Sequence, residues 1–478
     1  MKIKNIIFGL PFILMIGCIT AFVSCADDLD IGKDIDESIY EEIYKNNAFL
    51  RDAKTNKVSN VIELYKEQYA TKVRLGLSKP ATSTTKAKVK VDAEYLTIYN
   101  AMHETDFELY PLEGVTFSDE GAFIISNDNK HADIVMNIKA SEKLEDNKTY
   151  VIPLTITEQS DDITVKNDEA KHCVYLVKDM QSAADVDKGE NAVKGYLFFE
   201  VNDVNPLNAL CFELENGKLI WDVVVLFAAN INYDAAAGRP RVQCNPNVQY
   251  LLDNNERLLQ PLRKRGIKVL LGLLGNHDMT GLAQLSDQGA KDFARELAQY
   301  CKAYNLDGIN LDDEYSDAPD LDNPALTRPS SKAAARLTYE AKRAMPDKLI
   351  TVFDYGQMYG IAEVDGVDAS EWIDIVVPNY GGAAYPIGKM SKKQCAGLAA
   401  EFNLGGGNSL TAYNAQSLID QGFGWHMGFA LAPTNFSRSF SRLVGVKTLY
   451  GSALKPITTF YKKNDPKPYN YLTDRISN

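Results

Sequence analysis

The feature that most constrains the fold is an alternation of strand-like and helix-like segments from about residue 190 to the C-terminus. One helical pattern runs from about Ser286 to Tyr304, and another begins near Ser330. Eight apolar runs are typical of buried strands: Leu197–Val201, Asp222–Phe227, Ile267–Leu274, Gly308–Asp312, Leu349–Asp354, Ile373–Val377, Gly397–Phe402 and Trp425–Ala430. Eight strand–helix repeats predict a (β/α)8 barrel of the α/β class, and a doubly wound open sheet is the alternative.

The residues before the barrel show a different periodicity. Apolar residues at helical spacing predict a helix from about Ser38 to Asn60. Further along, an alternating pattern predicts short strands at Tyr95–Tyr99, Phe107–Tyr110, Ile134–Ile138, Tyr150–Ile156 and Cys173–Val177. Short strands without intervening helices favour an antiparallel β-sandwich. We therefore expect a helical segment plus β-sandwich over residues 38–180, a linker over 181–190 and the barrel over 191–478.

The first residues have the layout of a secretory signal. Lys2 and Lys4 precede an apolar run, small residues follow it, and Cys25 stands directly before an acidic stretch. The pattern predicts a signal peptide over residues 1–24, lipid attachment at Cys25 and an acidic tether over 25–37. A transmembrane anchor is the alternative for the apolar run, and Cys18 is a second candidate for the lipid. The segment resembles that of surface lipoproteins of Gram-negative bacteria, which implies the outer membrane and the cell surface.

Charge and cysteine content exclude several classes of function. Lys and Arg number 51 against 64 Asp and Glu, and the net charge of −13 argues against nucleic acid as a partner. The remaining cysteines have no CxxC spacing, so we expect isolated buried thiols at Cys173, Cys211, Cys244, Cys301 and Cys395. We expect a monomer that contacts the membrane only through its lipid anchor.

The fourth predicted barrel strand carries the residues with catalytic potential. Alternate side chains of a strand share a face, so Asn310, Asp312 and Glu314 should point together into the mouth of the barrel. Two carboxylates this close repel each other, which raises the pKa of one of them and suits it to general acid catalysis. A solvated surface loop and an oxygen-ligand site for Ca²⁺ or Mg²⁺ are the alternatives.

The stretch from Asp307 to Glu314 resembles the DxxDxDxE signature of glycoside hydrolase family 18. Asp312 to Tyr315, and Leu274 to His277 after the third strand, are closer to the endo-β-N-acetylglucosaminidases of the H and F types. The resemblance runs from about Gly195 to the C-terminus. Asn310 departs from it, because the family has a second Asp there, and this departure puts the charge cycle of the chitinases in doubt. The N-terminal sandwich resembles a domain of exported lipoproteins in polysaccharide-degrading bacteria.

The resemblance implies substrate-assisted hydrolysis with retention of configuration. Glu314 would protonate the glycosidic oxygen, the substrate's acetamido oxygen would attack the anomeric carbon, and Asp312 would hold the acetamido N–H. The family pattern implies no metal and no cofactor. It also implies further substrate-binding residues: Asn276, Asn310, Tyr315, Asn379, Tyr380 and Trp425. We expect His277 and His426 to be structural.

The resulting prediction is an endo-β-N-acetylglucosaminidase that acts on the N-linked glycans of glycoproteins. It would cut between the two core GlcNAc residues, and the H-type resemblance favours high-mannose chains. A chitinase and a non-catalytic glycan-binding lipoprotein are the alternatives. Chitinases of the family usually carry more Trp than the three found here, and non-catalytic barrels usually lack the residue equivalent to Glu314.

Overall fold

The structure is a computed structural model that describes residues 45–145, 148–403, 406–431, 436–470 and 473. From Asn46 onward these residues form one compact unit. The predicted signal peptide, Cys25 and the acidic tether lie outside the described residues. In the part of the chain that is described, no helix has the length and apolar character needed to cross a membrane.

Residues 46–179 form two packed sheets, in agreement with the predicted β-sandwich. The elements are β1 Asn46–Asp52, β2 Ser59–Leu64, β3 Gln68–Leu77, β4 Thr85–Val91, α1 Tyr95–His103, β5 Glu108–Leu109, β6 Val115–Phe117, β7 Ala122–Ile125, β8 His131–Lys139, β9 Thr149–Gln159, β10 Ile163–Thr164, α2 Asp168–Lys171 and β11 His172–Asp179. One sheet has the strand order β10-β1-β3-β8-β6 and the other β2-β11-β9-β4-β7, with β5 beside β9. Large apolar side chains such as Tyr110, Phe123 and Tyr175 fill the core between the two sheets.

Two predictions for this part were wrong. Within the range expected to be helical, the described residues form β1 and β2, because Ala48, Leu50 and Asp52 are buried at a period of two. The segment expected to be a strand at Tyr95 is α1. Tyr95 and Tyr99 pack together against Val151, Val174 and Leu176 of the second sheet. Their spacing of four positions fits one face of a helix, but in so short a run it also fits the alternation of a strand.

The second part is a parallel barrel, which confirms the predicted fold class. Its eight strands follow each other around the barrel in chain order, and a bridge between Val376 and Cys395 joins the sixth to the seventh. They are β12 Lys194–Glu200, β13 Trp221–Asp234, β15 Lys268–Leu274, β16 Gly308–Asp312, β17 Leu349–Asp354, β20 Ile375–Pro378, β21 Ala396–Glu401 and β22 Trp425–Phe429. Additional strands are β14 Arg239–Gln243, β18 Glu363–Val364, β19 Val367–Asp368, β23 Thr459–Tyr461 and β24 Pro468–Asn470.

The strand–helix alternation is less complete than the sequence suggests. The helices are α3 Pro246–Asp253, α4 Asn255–Leu258, α5 Gln260–Lys264, α6 Asp287–Ala303, α7 Ser331–Ala344, α8 Ala412–Gln421, α9 Phe436–Ser441 and α10 Val446–Tyr450. The hydroxyls of Ser286 and Ser330 cap α6 and α7 as N-caps. The connections that follow β12, β17 and β20 are fully described, and they contain short 3₁₀ turns instead of α-helices.

The sandwich packs against the amino ends of the barrel strands. Lys178 of β11 pairs with Asp347, just before β17, at 3.4 Å. Glu63 of β2 pairs with Lys268 at the start of β15, at 2.7 Å. The sandwich therefore lies at the end of the barrel opposite the carboxyl ends of the strands. The five described cysteines are free thiols. Cys173, Cys301 and Cys395 are buried as expected, whereas Cys211 and Cys244 are only partly buried.

Candidate active site

The carboxyl end of β16 places two acidic side chains at the mouth of the barrel. Asp312 is the last residue of the strand and is 4% exposed, while Glu314 follows in the loop and is half-buried. The backbone N–H of Glu314 donates to the carbonyl of Asp312 at 3.1 Å. This short turn keeps both carboxylates at the carboxyl end of β16, as the alternation of side chains predicts.

The environment of Asp312 favours its protonated form. Burial is the largest cause that raises the pKa of Asp312, and together with the negative charges of Glu314 and Asp313 it brings that pKa to about 8. Its Oδ1 atom is buried and has no hydrogen-bond partner among the described residues. At neutral pH the pair of Asp312 and Glu314 therefore carries a proton, which is the state that general acid catalysis requires.

Beneath Asp312 lies a buried hydrogen-bond network. Asn310 Nδ2 donates to Thr351 Oγ1 at 3.1 Å, and the Tyr196 hydroxyl lies 2.7 Å from the same oxygen. Thr351 Oγ1 in turn donates to the carbonyl of Ile309 at 2.9 Å. The side chains of Asn310, Thr351 and Tyr196 are fully buried. Asn310 thus lies beneath Asp312 and is inaccessible to solvent, which argues against the predicted direct contact of Asn310 with substrate.

The loop after β15 supports the loop that carries Glu314. The N–H of Gly275 donates to the carbonyl of Glu314 at 3.0 Å, and the N–H of His277 donates to the carbonyl of Tyr315 at 2.6 Å. A Cβ atom at Gly275 would lie 2.2 Å from the Glu314 carbonyl, so only glycine allows this approach. Tyr315 adopts a left-handed conformation with φ of 57°. The position of Glu314 therefore depends on two neighbouring loops.

Asn276 and Tyr315 lie on the exposed rim of this region. Asn276 Nδ2 donates to Asn232 Oδ1 at 3.0 Å. Tyr315 is 56% exposed, and its pKa is raised chiefly by the negative charge of Glu314. The rings of His277 and Tyr315 lie 5.5 Å apart. The two predicted substrate-binding residues are thus beside the acid pair and available to a ligand.

Tyr380 reaches the site from the end of β20. Its ring packs edge-on against Phe429, with centroids 5.6 Å apart, and also against Phe353. Burial raises its pKa, and the negative charge of Asp312 is the next largest cause, which places the phenol beside Asp312. Asn379 is exposed and accepts a hydrogen bond from the N–H of Tyr380 at 2.7 Å. Tyr380 therefore joins the acid pair, while Asn379 shapes the turn that carries it.

Trp425 does not belong to this site, and the prediction that it forms a sugar floor is wrong. Trp425 is the first residue of β22, and it lies in register with Lys194, the first residue of the parallel strand β12. Its ring packs on Tyr196 inside the barrel and lines a cavity of about 520 Å³ on the sandwich side. The parallel register places the first and last residues of a strand at opposite ends of the barrel.

His426 is structural, as expected. It is 1% exposed and its Nε2 lies 3.1 Å from the Tyr450 hydroxyl. Its ring also packs against Trp221, and burial lowers its pKa to about 3. Asp307, the first acid of the motif, is also structural: it is buried at the amino end of β16 and paired with Arg263 at 2.8 Å.

Comparisons with known proteins agree with this geometry. A family model described as an N-terminal domain matches residues 41–163. The chain is 44% identical over 283 residues to endo-beta-N-acetylglucosaminidase F1 of Elizabethkingia meningoseptica, covering 57% of this chain and 82% of the relative. It is 31% identical over 259 residues to an endo-beta-N-acetylglucosaminidase of Flavobacterium sp. (strain SK1022), covering 54% and 80%.

Solved structures are more similar still. EndoBT-3987 of Bacteroides thetaiotamicron with a Man5GlcNAc product is 68% identical with a TM-score of 0.87, and the match covers 88% of this chain and 99% of that one. The same enzyme with a Man9GlcNAc2Asn substrate is 64% identical with a TM-score of 0.80 and the same coverage. The chain belongs to the endo-β-N-acetylglucosaminidases of glycoside hydrolase family 18. It is a glycoside hydrolase.

The structure adds residues to the glycosidase site that sequence reasoning missed. Phe227, Phe353 and Phe429 form an aromatic layer below Tyr380. Carboxylates also end four other strands of the barrel: Glu200, Asp234, Asp354 and Glu401. The rule that barrel sites lie at carboxyl strand ends could have found these four acids. Thr351 has no such signal, because its role depends on contacts with two other strands.

The donor atoms of the glycosidase were also compared with the requirements of a metal ion. Within the described ranges, no three His, Cys, Asp or Glu side chains lie close enough together to hold a metal ion.

Proposed function

We propose that the protein hydrolyses the bond between the two core GlcNAc residues of high-mannose N-glycans and leaves one GlcNAc on asparagine. The observation that supports this proposal most is the acid pair of Asp312 and Glu314 at the mouth of the barrel, in a chain that is 64–68% identical to EndoBT-3987 over 88% of its length. That relative holds a product with one GlcNAc and a substrate with two GlcNAc residues on Asn. A cut between the two sugars accounts for the difference.

The proposed mechanism assigns one task to each acid. With substrate bound, the proton of the pair passes from Asp312 to Glu314, the more accessible of the two, and Glu314 gives it to the glycosidic oxygen as the C–O bond breaks. The oxygen of the substrate's 2-acetamido group attacks the anomeric carbon from the other face and forms an oxazolinium ion. Asp312 accepts the acetamido N–H and stabilises the positive charge of that ion. Glu314 then takes a proton from water, which attacks the anomeric carbon and restores the acetamide.

Tyr380 completes the proposed arrangement. Its phenol lies beside Asp312, and negative charge around it keeps the phenol protonated. It can therefore donate a hydrogen bond to the acetamido oxygen and hold that oxygen in line with the anomeric carbon. Such positioning of a nucleophile lowers the entropic part of the barrier.

Glu314→Gln tests this function. The substitution preserves shape and removes the transferable proton, so cleavage of a Man9GlcNAc2-Asn glycopeptide should fall about 10²- to 10⁴-fold while binding survives. Glu113→Gln is a matched control, because Glu113 is an exposed residue of the sandwich that pairs with Lys143. Near-wild-type turnover in Glu314→Gln would show that the acid has been assigned wrongly, and cleavage of chitin instead of the glycopeptide would favour a chitinase.

We further propose that the enzyme is anchored to the outer membrane by a lipid on Cys25. The order of basic, apolar, small and acidic residues around Cys25 supports this. Two or three acyl chains on one residue suffice for stable anchoring. In a bacterial host fed an alkyne-tagged fatty acid, the wild-type protein should take up the tag and Cys25→Ala should not. Labelling of Cys25→Ala but not of Cys18→Ala would move the anchor to Cys18.

A further inference from the structure

The hydrogen-bond network below the acid pair determines how the Asn310 amide is oriented. The single hydroxyl hydrogen of Thr351 is donated to the carbonyl of Ile309 at 2.9 Å. Thr351 Oγ1 can therefore only accept from its other two neighbours, Asn310 Nδ2 at 3.1 Å and the Tyr196 hydroxyl at 2.7 Å. An amide oxygen facing Thr351 would find no hydrogen there, so Asn310 must turn its Nδ2 atom towards Thr351.

This orientation leaves the Asn310 oxygen to its other side. Asn310 Oδ1 is buried and has no hydrogen-bond partner among the described residues, and the same holds for Asp312 Oδ1. The two residues are two positions apart in β16, so their side chains share a face of the strand. An ionised Asp312 could offer Asn310 only further acceptors. A protonated Asp312 can donate to Asn310 Oδ1, and this one hydrogen bond would satisfy both unpaired oxygens.

We propose that Thr351 is a positioning residue that orients the Asn310 amide with its oxygen towards Asp312, so that the resting enzyme keeps a proton on Asp312. A hydrogen bond to the neutral form of an acid favours that form. Of the titratable groups near Asp312, the carboxylates of Glu314 and Asp313 act in the same direction. The other two, Tyr315 beyond them and Tyr380 from the end of β20, are uncharged phenols whose own pKa values Asp312 helps to raise. The kinetic part of this inference depends on the function proposed above, whereas the titration of Asp312 does not.

Thr351→Val tests the inference, because valine has the shape of threonine without its hydroxyl. The Tyr196 hydroxyl then loses its acceptor, and Asn310 Oδ1 is the nearby replacement. The amide would turn over and present Nδ2 to Asp312, which favours the ionised carboxylate. Thr351→Ser retains the hydroxyl and is the matched control. If Thr351→Val does not fold, Thr351→Ala removes the same hydroxyl without adding bulk.

The first measurement is the pH dependence of kcat/KM on a soluble glycopeptide. This profile reports the free enzyme, and its basic limb follows the loss of the last proton from the coupled acids. In Thr351→Val we expect the basic limb to move to lower pH by about one unit, and in Thr351→Ser to stay in place. A loss of activity that is equal at all pH values would indicate a merely structural role and overturn the inference.

The second measurement does not require catalysis. Protein labelled with ¹³C at the Asp carboxyl carbons is titrated by NMR, and the Asp312 signal is identified by its absence in Asp312→Asn. Its midpoint should fall by about one pH unit in Thr351→Val and remain unchanged in Thr351→Ser. An unchanged midpoint in Thr351→Val, or an equal fall in both variants, would refute the role of Thr351. A fall without any change in the rate profile would support it and refute instead the proposed role of Asp312 in hydrolysis.

Discussion

Replacing Lys178 by Met should weaken the barrel, although Lys178 belongs to the sandwich. Its ammonium pairs with Asp347 Oδ2 at 3.4 Å and donates to the carbonyl of Asp347 at 2.7 Å. Asp347 is 8% exposed and also accepts a hydrogen bond from the Thr149 hydroxyl at 2.9 Å. Lys178→Met would therefore leave the buried carboxylate with one cationic partner, Lys348 at 3.5 Å, and one hydroxyl.

The size of the effect follows from the charges at Asp347. Burial alone would raise its pKa, but Lys178 and Lys348 outweigh burial and lower the pKa from 3.8 to about 2. At about 1.4 kcal/mol per unit, this shift corresponds to roughly 2 kcal/mol of stability at neutral pH. Lys178 is the largest favourable cause of this shift and shares it with Lys348 and Thr149. The lost hydrogen bond adds about 1 kcal/mol. Burial lowers the pKa of Lys178 itself to about 8, and the burial cost that Met avoids offsets part of the sum. We expect a net loss of about 1 kcal/mol.

The assay is guanidinium unfolding at pH 7 followed by tryptophan fluorescence. The three tryptophans, Trp221, Trp372 and Trp425, all lie in the barrel. Their fluorescence therefore detects a change in the sandwich only if the unfolding of the sandwich and of the barrel is coupled. Lys139→Met is the control, because Lys139 forms an exposed pair with Glu67 and should change stability by less than about 0.5 kcal/mol. A midpoint shift in Lys178→Met no larger than that of Lys139→Met would refute the reasoning.

The same variant has a defined dependence on pH. The folded-state pKa of Asp347 is lower than its unfolded value, so its contribution is complete above about pH 4 and disappears as the pH falls towards 2. The stability difference between wild type and Lys178→Met should therefore shrink over that range. A difference that stays constant down to pH 2 would assign the effect to packing of the lysine stem instead of charge.

Three further predictions concern the catalytic site. The Asp312→Asn enzyme should hydrolyse glycan slowly but still transfer a preformed sugar oxazoline to a GlcNAc acceptor, because the oxazoline bypasses the barrier to oxazolinium formation. Equal loss of both reactions, measured on one preparation, would count against the separate roles of Asp312 and Glu314. Tyr380→Phe should lower kcat about tenfold or more by loss of a hydrogen bond, whereas Trp425→Phe at the other end of the barrel should leave KM unchanged; the reverse result would restore Trp425 to the site. EDTA should not inhibit, since Asp312 and Glu314 act on the acetamido group and the proton; inhibition reversed by Ca²⁺ or Mg²⁺ would favour a metal site.

The sequence alone was sufficient wherever the deciding contacts are local. Residues two apart in a strand share a face whatever the rest of the chain does, so the alternation of Asn310, Asp312 and Glu314 already predicted an acid pair at the end of β16. The caps at Ser286 and Ser330 are equally local, because each hydroxyl binds an N–H three residues further on. The apolar spacing of the long α6 and α7 was clear for the same reason.

Tertiary structure decided every feature that depends on distant strands meeting. Thr351 lies 39 positions from Asp312 and Tyr380 lies 68, and the pairing of β16 with β17 and of β17 with β20 brings them near it. Trp425 opens the last strand as predicted, and the parallel register with Lys194 places it at the end of the barrel away from the acid pair. The apolar spacing in β1 resembles that of a helix, and the spacing in α1 resembles that of a strand. The conformation of each segment was decided by the residues that it packs against. Such contacts depend on strand register and domain packing, which are properties of the whole chain and not of any short stretch of it.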